Sequence, residues 1–335
     1  MFFSKAIDLY ALYGLHKKRS KEFQFSSLPS KVLETKDIQE FYKTNSINIQ
    51  FKIKDFNNQN YNIGKFEYKS SIQSGISCND IVTGEAFLHQ NDASPNIIFV
   101  HGWRMDSNER VKKIFHDQIM NLKWNMYYFT LPYHFERKPE CSLYSGEYMI
   151  SANIERTVQS SQQAVADLRG LIQWIKKNKQ GPVILVGISL GGFITNLMAL
   201  VESQIDVLAS IFYANRLSYS IWNTKPGKYI KADLQEHGIT YNDLIQYWRI
   251  TEPNQTVPVM NKDNILLISA KNDQYVHIED TDYLWQSWGK PTRHVYNGGH
   301  AGIVLNRKRI ATDTINFIQK RIAGERNHYA MDSIK

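Results

Sequence analysis

The chain has 335 residues, 42% of them hydrophobic and 21% charged, with 40 Lys+Arg against 32 Asp+Glu and a formal net charge of +8. That balance is ordinary for a globular protein and excludes a wholly disordered chain. Two cysteines, Cys78 and Cys141, exclude a disulfide framework and a four-cysteine zinc site, and reduced thiols fit a cytoplasmic setting.

The amino-terminal run Met1–Leu15, MFFSKAIDLYALYGL, has the wrong order for a signal peptide. Lys5 and Asp8 interrupt its apolar stretch, and Lys17, Lys18 and Arg19 follow it. It reads as an amphipathic helix, packed on the domain or laid on a lipid surface, so that residues 1–20 are the candidate for peripheral membrane contact. No stretch reaches the length of apolar residues that a spanning helix requires. The basic residues are scattered and no nucleic-acid-binding motif accompanies them, which argues against a nucleic-acid partner. Residues 1–45 form an extension of helical or irregular character, with a break at Ser26, Ser27, Pro29 and Ser30.

Three alternating segments follow, at 47–53, 61–68 and 82–89, with Asn57–Asn60 as a hairpin loop between the first two. Alternation buries one face and wets the other, as in an antiparallel entry to a sheet. After Pro95 the pattern changes to short continuous apolar runs: NIIFV at 96–100, WNMYYFTL at 124–131, PVILV at 182–186, DVLASIFY at 206–213 and NILLISA at 264–270. Strands apolar on both faces belong in a parallel sheet covered by helices on both sides. The strongest helix is marked by Ile154, Val158, Val165, Leu168, Leu171, Ile172 and Ile175, and weaker ones lie at 190–203, 279–288 and 306–323. The expected fold is α/β, a right-handed, mostly parallel sheet with antiparallel amino-terminal strands. About 214–262 is too long for a loop and carries helical stretches at 227–237 and 241–249, so it is expected to be an inserted lid in a domain spanning 46–325, with 326–335 as a tail.

The chemistry centres on Gly187-Ile188-Ser189-Leu190-Gly191. This Gly-x-Ser-x-Gly run leaves an apolar strand and opens a helix, the context in which a serine sits on a sharp turn with its hydroxyl exposed over the sheet edge. A serine hydroxyl needs a base, and the base an orienting acid. Asp273, just beyond NILLISA, and His300, in Gly298-Gly299-His300-Ala301-Gly302, fall where strand ends open into loops. Glu279, Asp280 and Asp282 are the alternative acids, His101 and His294 the alternative bases. Backbone N–H groups of Leu190, after the nucleophile, and of Trp103, in the loop His101-Gly102-Trp103, are placed to receive an oxyanion, with Gly102 allowing close approach. Arg104, His134, Asn215 and Arg216 are further candidates for substrate contact. No cofactor or metal is called for by this chemistry.

Taken together, these residues resemble the alpha/beta-hydrolase superfamily over roughly residues 80–325. The blocks Leu131-Pro132-Tyr133-His134 with Arg137 and Pro139, then Ser145-Gly146, are similar to alpha/beta hydrolase domain-containing 18-like proteins. The resemblance implies an alpha/beta-hydrolase fold and a serine hydrolase acting on a small-molecule or lipid-like acyl substrate, an ester, thioester or small amide. Peptidase or acyltransferase chemistry on the same triad, or a non-catalytic binding role, are the alternatives.

Overall fold

The computed structural model describes residues 2–17, 25–27, 37–57 and 61–332. In chain order the elements are α1 (Phe2–Lys17), α2 (Ile38–Phe41), β1 (Gln50–Asn57), β2 (Tyr61–Lys69), β3 (Ile81–His89), β4 (Asn96–Val100), α3 (Glu109–Asn121), β5 (Asn125–Phe129), α4 (Ile154–Asn178), β6 (Val183–Ile188), α5 (Leu190–Val201) and β7 (Val207–Ile211). There follow α6 (Leu217–Asn223), α7 (Lys228–Glu236), α8 (Tyr241–Trp248), β8 (Ile265–Ala270), α9 (Ile278–Ser287), β9 (Thr292–Tyr296) and α10 (Ile303–Asp332). Pro29, Ser30 and the loop residues Asn58–Asn60, to which a break and a hairpin turn were assigned, lie outside the described residues, as do residues 333–335.

The nine strands form one sheet in the order β1-β2-β3-β5-β4-β6-β7-β8-β9. The pairs from β1 through β3 to β5 are antiparallel and every later pair is parallel. The continuous apolar runs are explained by burial on both faces: in β4, Ile98 and Val100 join the core under α4 and α5, whereas Ile97 and Phe99 join the core under α3 and α10. Val111, Phe115 and Ile119 recur every fourth residue on α3, and Ile310, Ile315 and Ile318 bury the matching stripe of α10.

The first strand differs from the expected 47–53. Pairing begins at Gln50↔Glu67 and the register slips between Ile53 and Asp55. Ile47 reaches instead toward Gly170 on α4, which has no side chain to obstruct it. Alternating apolar residues thus mark an extended segment that starts before its hydrogen-bonded partner does.

Between β7 and β8 the chain makes α7 and α8, where the two helical stretches were expected, and before them α6, which was not expected. Buried Leu217, Ile221, Leu234, Leu244 and Trp248 tie this insertion to the core shared with α4 and α5. Thr240 and Asp243 close a capping box at the start of α8. α1 lies against the turns at Lys225–Gly227 and His300–Gly302, with Asp8 and Leu12 buried. Among the described residues no helix is long and apolar enough to cross a membrane.

Candidate active site

Ser189 stands between β6 and α5 with φ 56° and ψ −114°, a backbone conformation that costs a non-glycine residue roughly 1–3 kcal/mol. Two glycines make the turn possible. A Cβ on Gly187 would strike the Gly191 carbonyl, and one on Gly191 would strike the Val100 carbonyl of β4. The helix therefore starts hard against the sheet, and the serine is carried out over the strand ends.

His300 closes on it from the loop after β9. With the Nδ1–H of His300 donated to Asp273 Oδ2 at 2.7 Å, Nε2 is left to accept from the Ser189 hydroxyl at 2.9 Å. The other oxygen of Asp273, Oδ1, accepts from the amides of Tyr275 (2.7 Å) and Val276 (2.9 Å), which fixes the acid. Burial works against a charge on His300, but Asp273 outweighs it and holds the imidazole above its ordinary value, with a smaller push from Asp8. The structure thus brings together the three residues that the spacing assigned to nucleophile, acid and base.

Four of the five alternatives, His101, His294, Asp280 and Asp282, are engaged elsewhere. His101 is fully buried, donates Nδ1–H to the Gly102 carbonyl (2.9 Å) and accepts at Nε2 from the Leu131 amide (3.1 Å). Burial lowers it to about 4, so it braces the loop as a neutral ring. His294 lies on β9 near Asp313, and Asp280 and Asp282 pair with Arg216 and Arg293.

The loop after β4 reaches the nucleophile. A Cβ on Gly102 would lie 3.4 Å from the Ser189 Cβ. Its amide donates to Met105 Sδ at 3.3 Å, and the Trp103 indole N–H donates to the Gly146 carbonyl at 2.8 Å. Leu190 is the first residue of α5, where a helix leaves its amide without an intrahelical partner. Arg104 has φ 60° and stacks 3.5 Å from the Tyr144 ring centre, next to Trp103.

Three residues expected at the substrate have other tasks. His134 is fully buried, donates Nδ1–H to the Pro132 carbonyl at 2.8 Å, and is covered by Gly146 so closely that a Cβ there would meet Nε2. Asn215 is buried and, with Arg216, surrounds Asp280: the amides of both donate to Oδ2 (3.1 and 3.0 Å), and Arg216 Nε donates to Oδ1 at 2.7 Å. A loop position at a strand end was the only signal for these residues, and such a position also supplies the struts between elements. The same holds for Arg137. It is fully buried and donates to the Asn79 and Thr130 carbonyls and to Asp167, so Arg137 ties elements of the fold together.

Two neighbours of the triad escaped the sequence reading. Tyr275 stacks on the His300 ring. Asp8, from α1, accepts hydrogen bonds from the amides of Gln274, His300 and Ala301. The signal for Asp8 was a single acid inside an otherwise apolar helix.

No protein-family profile matches the chain. It is 64% identical to the uncharacterised protein YdjC of Bacillus subtilis (strain 168) over 115 residues, which are 34% of this chain and 99% of that protein. An uncharacterised protein of Mycobacterium tuberculosis (strain ATCC 25618 / H37Rv) is 27% identical over 238 residues, 66% of this chain. The match spans only 53% of that mycobacterial protein's own length. Among solved structures, the acetyl xylan esterase from Paenibacillus sp. R4 has a TM-score of 0.66 at 12% identity, covering 92% of this chain and 99% of that one. Acetyl xylan esterase 1 from Thermoanaerobacterium sp. JW/SL YS485 has 0.60 at 11% identity, with 82% and 94% covered. The acylaminoacyl peptidase of Pyrococcus horikoshii has 0.56 at 14% identity, with 78% and 42% covered. These likenesses establish the alpha/beta-hydrolase fold.

Proposed function

The chain belongs to the family of the Bacillus subtilis protein YdjC, and from its fold and site we propose that it is a serine hydrolase that cleaves an ester through an acyl-enzyme. The observation that carries this reading is the unbroken relay Asp273–His300–Ser189, set on a strained strand-to-helix turn. Ser189 Oγ attacks the substrate carbonyl as His300 Nε2 takes its proton. Asp273 keeps the imidazole in the tautomer that can accept and then stabilises the imidazolium. The amides of Leu190 and Trp103 receive the oxyanion, a contribution of roughly 3–4 kcal/mol for each donor. His300 then returns the proton to the leaving oxygen, the acyl-enzyme forms, and water activated by the same imidazole releases the acid.

The acetyl xylan esterases that share the fold support an ester substrate. The acylaminoacyl peptidase supports a second reading, in which the same triad cleaves an amide at a chain end. Paired assays separate the two: the protein is offered 4-nitrophenyl acetate and butyrate beside acylated aminoacyl anilides, each with wild type and Ser189→Ala. Ester turnover that is lost in Ser189→Ala supports the esterase. Anilide turnover alone supports the peptidase, and turnover retained by Ser189→Ala contradicts both.

We also propose that α1 touches an anionic lipid surface. Leu9, Tyr10 and Tyr13 are 43%, 82% and 64% exposed. Leu9 and Tyr13 line a groove of about 570 Å³ together with Trp222, Lys225, Lys228 and Lys231, so apolar contact and positive charge occur on one face.

A further inference from the structure

Asp8 belongs to an amino-terminal helix, yet its carboxylate lies between the two loops that carry the acid and the base. Oδ2 accepts from the Gln274 amide at 3.1 Å and the His300 amide at 2.9 Å, and Oδ1 accepts from the Ala301 amide at 2.8 Å. Gln274 directly follows Asp273. One buried side chain therefore joins the loop after β8 to the loop after β9 at the residues adjoining the relay. Besides the relay itself, three further links join the same segments: the Lys271 amide to the Tyr296 carbonyl (2.9 Å), the Asn272 amide to the Gly298 carbonyl (2.9 Å) and Asn272 Nδ2 to Asn297 Oδ1 (3.2 Å). All three lie on the strand side, and among the described residues Asp8 alone links the His300 amide to the loop that carries Asp273.

The approach is close enough to dictate a residue. A Cβ on Gly299 would lie 2.5 Å from Asp8 Oδ2 and 2.8 Å from its Cγ and Oδ1. The glycine before His300 is the opening through which Asp8 enters. The alternative explanation, a buried acid that only docks α1, fails to account for why all three donors are backbone amides of the two catalytic loops.

Resting on the relay described above, we propose that Asp8 is a positioning residue: it fixes the spacing between the Asp273 and His300 loops and places a second negative charge beside the imidazole. The charged groups around His300 are Asp273 on its own side and Asp8 on α1, while Arg104 and Arg110 act on the adjacent Tyr275 hydroxyl. Burial raises the Asp8 carboxyl above its ordinary value, the three amides offset that only in part, and the neighbouring Asp273 adds to the rise. Charge-assisted hydrogen bonds from backbone amides are the strong kind, and small displacements of a catalytic group cost about 10²-fold in rate.

The test compares wild type, Asp8→Asn, Asp8→Glu, Gly299→Ala and Ser189→Ala by two readouts, the rate of fluorophosphonate labelling at Ser189 and the His300 imidazole titration followed by NMR. Asn keeps the shape but cannot accept from all three amides, and Gly299→Ala obstructs the same carboxylate from the other side should Asp8→Asn fold poorly. The expected result is labelling slowed by roughly 10- to 100-fold in Asp8→Asn and Gly299→Ala, partly recovered in Asp8→Glu, with His300 titrating lower in Asp8→Asn. Wild-type labelling together with a wild-type titration in Asp8→Asn overturns the proposal. If wild type itself fails to label at Ser189, the hydrolase reading is what falls. The titration then decides the role of Asp8 alone: a lowered His300 value supports it and an unchanged one refutes it.

Discussion

Tyr275 lies flat against His300, with ring centroids 4.6 Å apart and planes 11° from parallel, while its own amide donates to Asp273. One residue thus braces both the base and the acid. Its hydroxyl makes only a long contact, 3.5 Å, to the Asp8 carbonyl. Replacing Tyr275 by Ala is expected to lower kcat by about tenfold through loss of orientation, and replacement by Phe to leave it near wild type. Steady-state kinetics on an ester substrate check this, and an equal loss in both variants would place the effect in the hydroxyl.

The imidazole must be neutral to accept the serine proton. Because burial is outweighed by Asp273 and His300 is held above its ordinary value, which is about 6.5 for an unperturbed imidazole, activity falls as pH drops through that raised value. The acid limb of a kcat/KM profile is therefore expected above pH ~6.5. In Asp273→Asn it should move down and the maximal rate should collapse by several orders of magnitude, roughly 10⁴-fold in the well-studied triad. An acid limb well below the ordinary imidazole range contradicts this assignment of the base.

Glu252 offers a prediction about stability. It is buried at the root of the insertion, accepts from the amide and hydroxyl of Ser218, and is pushed by burial up to about 7. A carboxyl raised in the folded state contributes stability that is present below its unfolded value of 4.5 and is lost as pH rises toward 7. Glu252→Gln keeps an acceptor without the charge. It is expected to be more stable than wild type near pH ~8, by at most ~3 kcal/mol, and to lose the pH dependence across that window. Urea denaturation at several pH values measures both effects.

The lipid proposal predicts that full-length protein floats with vesicles containing phosphatidylserine and less with neutral ones. Changing Leu9, Tyr10 and Tyr13 to Ser removes their apolar contact with the bilayer, and changing Lys225, Lys228 and Lys231 to Gln weakens binding by about 1 kcal/mol per lysine. Equal flotation of wild type and both variants would count against contact through this face.

Much of the architecture was readable because burial writes itself into the sequence. Ile97 to Val100 are apolar without interruption because both faces of β4 are covered, and the pentapeptide at Ser189 has two glycines because two carbonyls occupy the space where side chains would be. The order Ser189, Asp273, His300 was legible for the same reason: each lies in the turn or loop that follows a strand. What sequence could not supply was direction. His134, Asn215 and Arg216 sit in loops at strand ends, but their side chains turn inward to Pro132 and Asp280. Asp8 looked like an interruption in an apolar helix because its partners lie 266 to 293 positions away.

The account stands most directly on whether Ser189 is a competent nucleophile. Fluorophosphonate labelling followed by peptide mapping addresses this on wild type, Ser189→Ala and His300→Ala. The relay predicts one modified peptide, carrying the adduct on Ser189, absent in Ser189→Ala and strongly slowed in His300→Ala. A folded wild-type protein that takes up no label, or takes it up at another serine, would contradict the account.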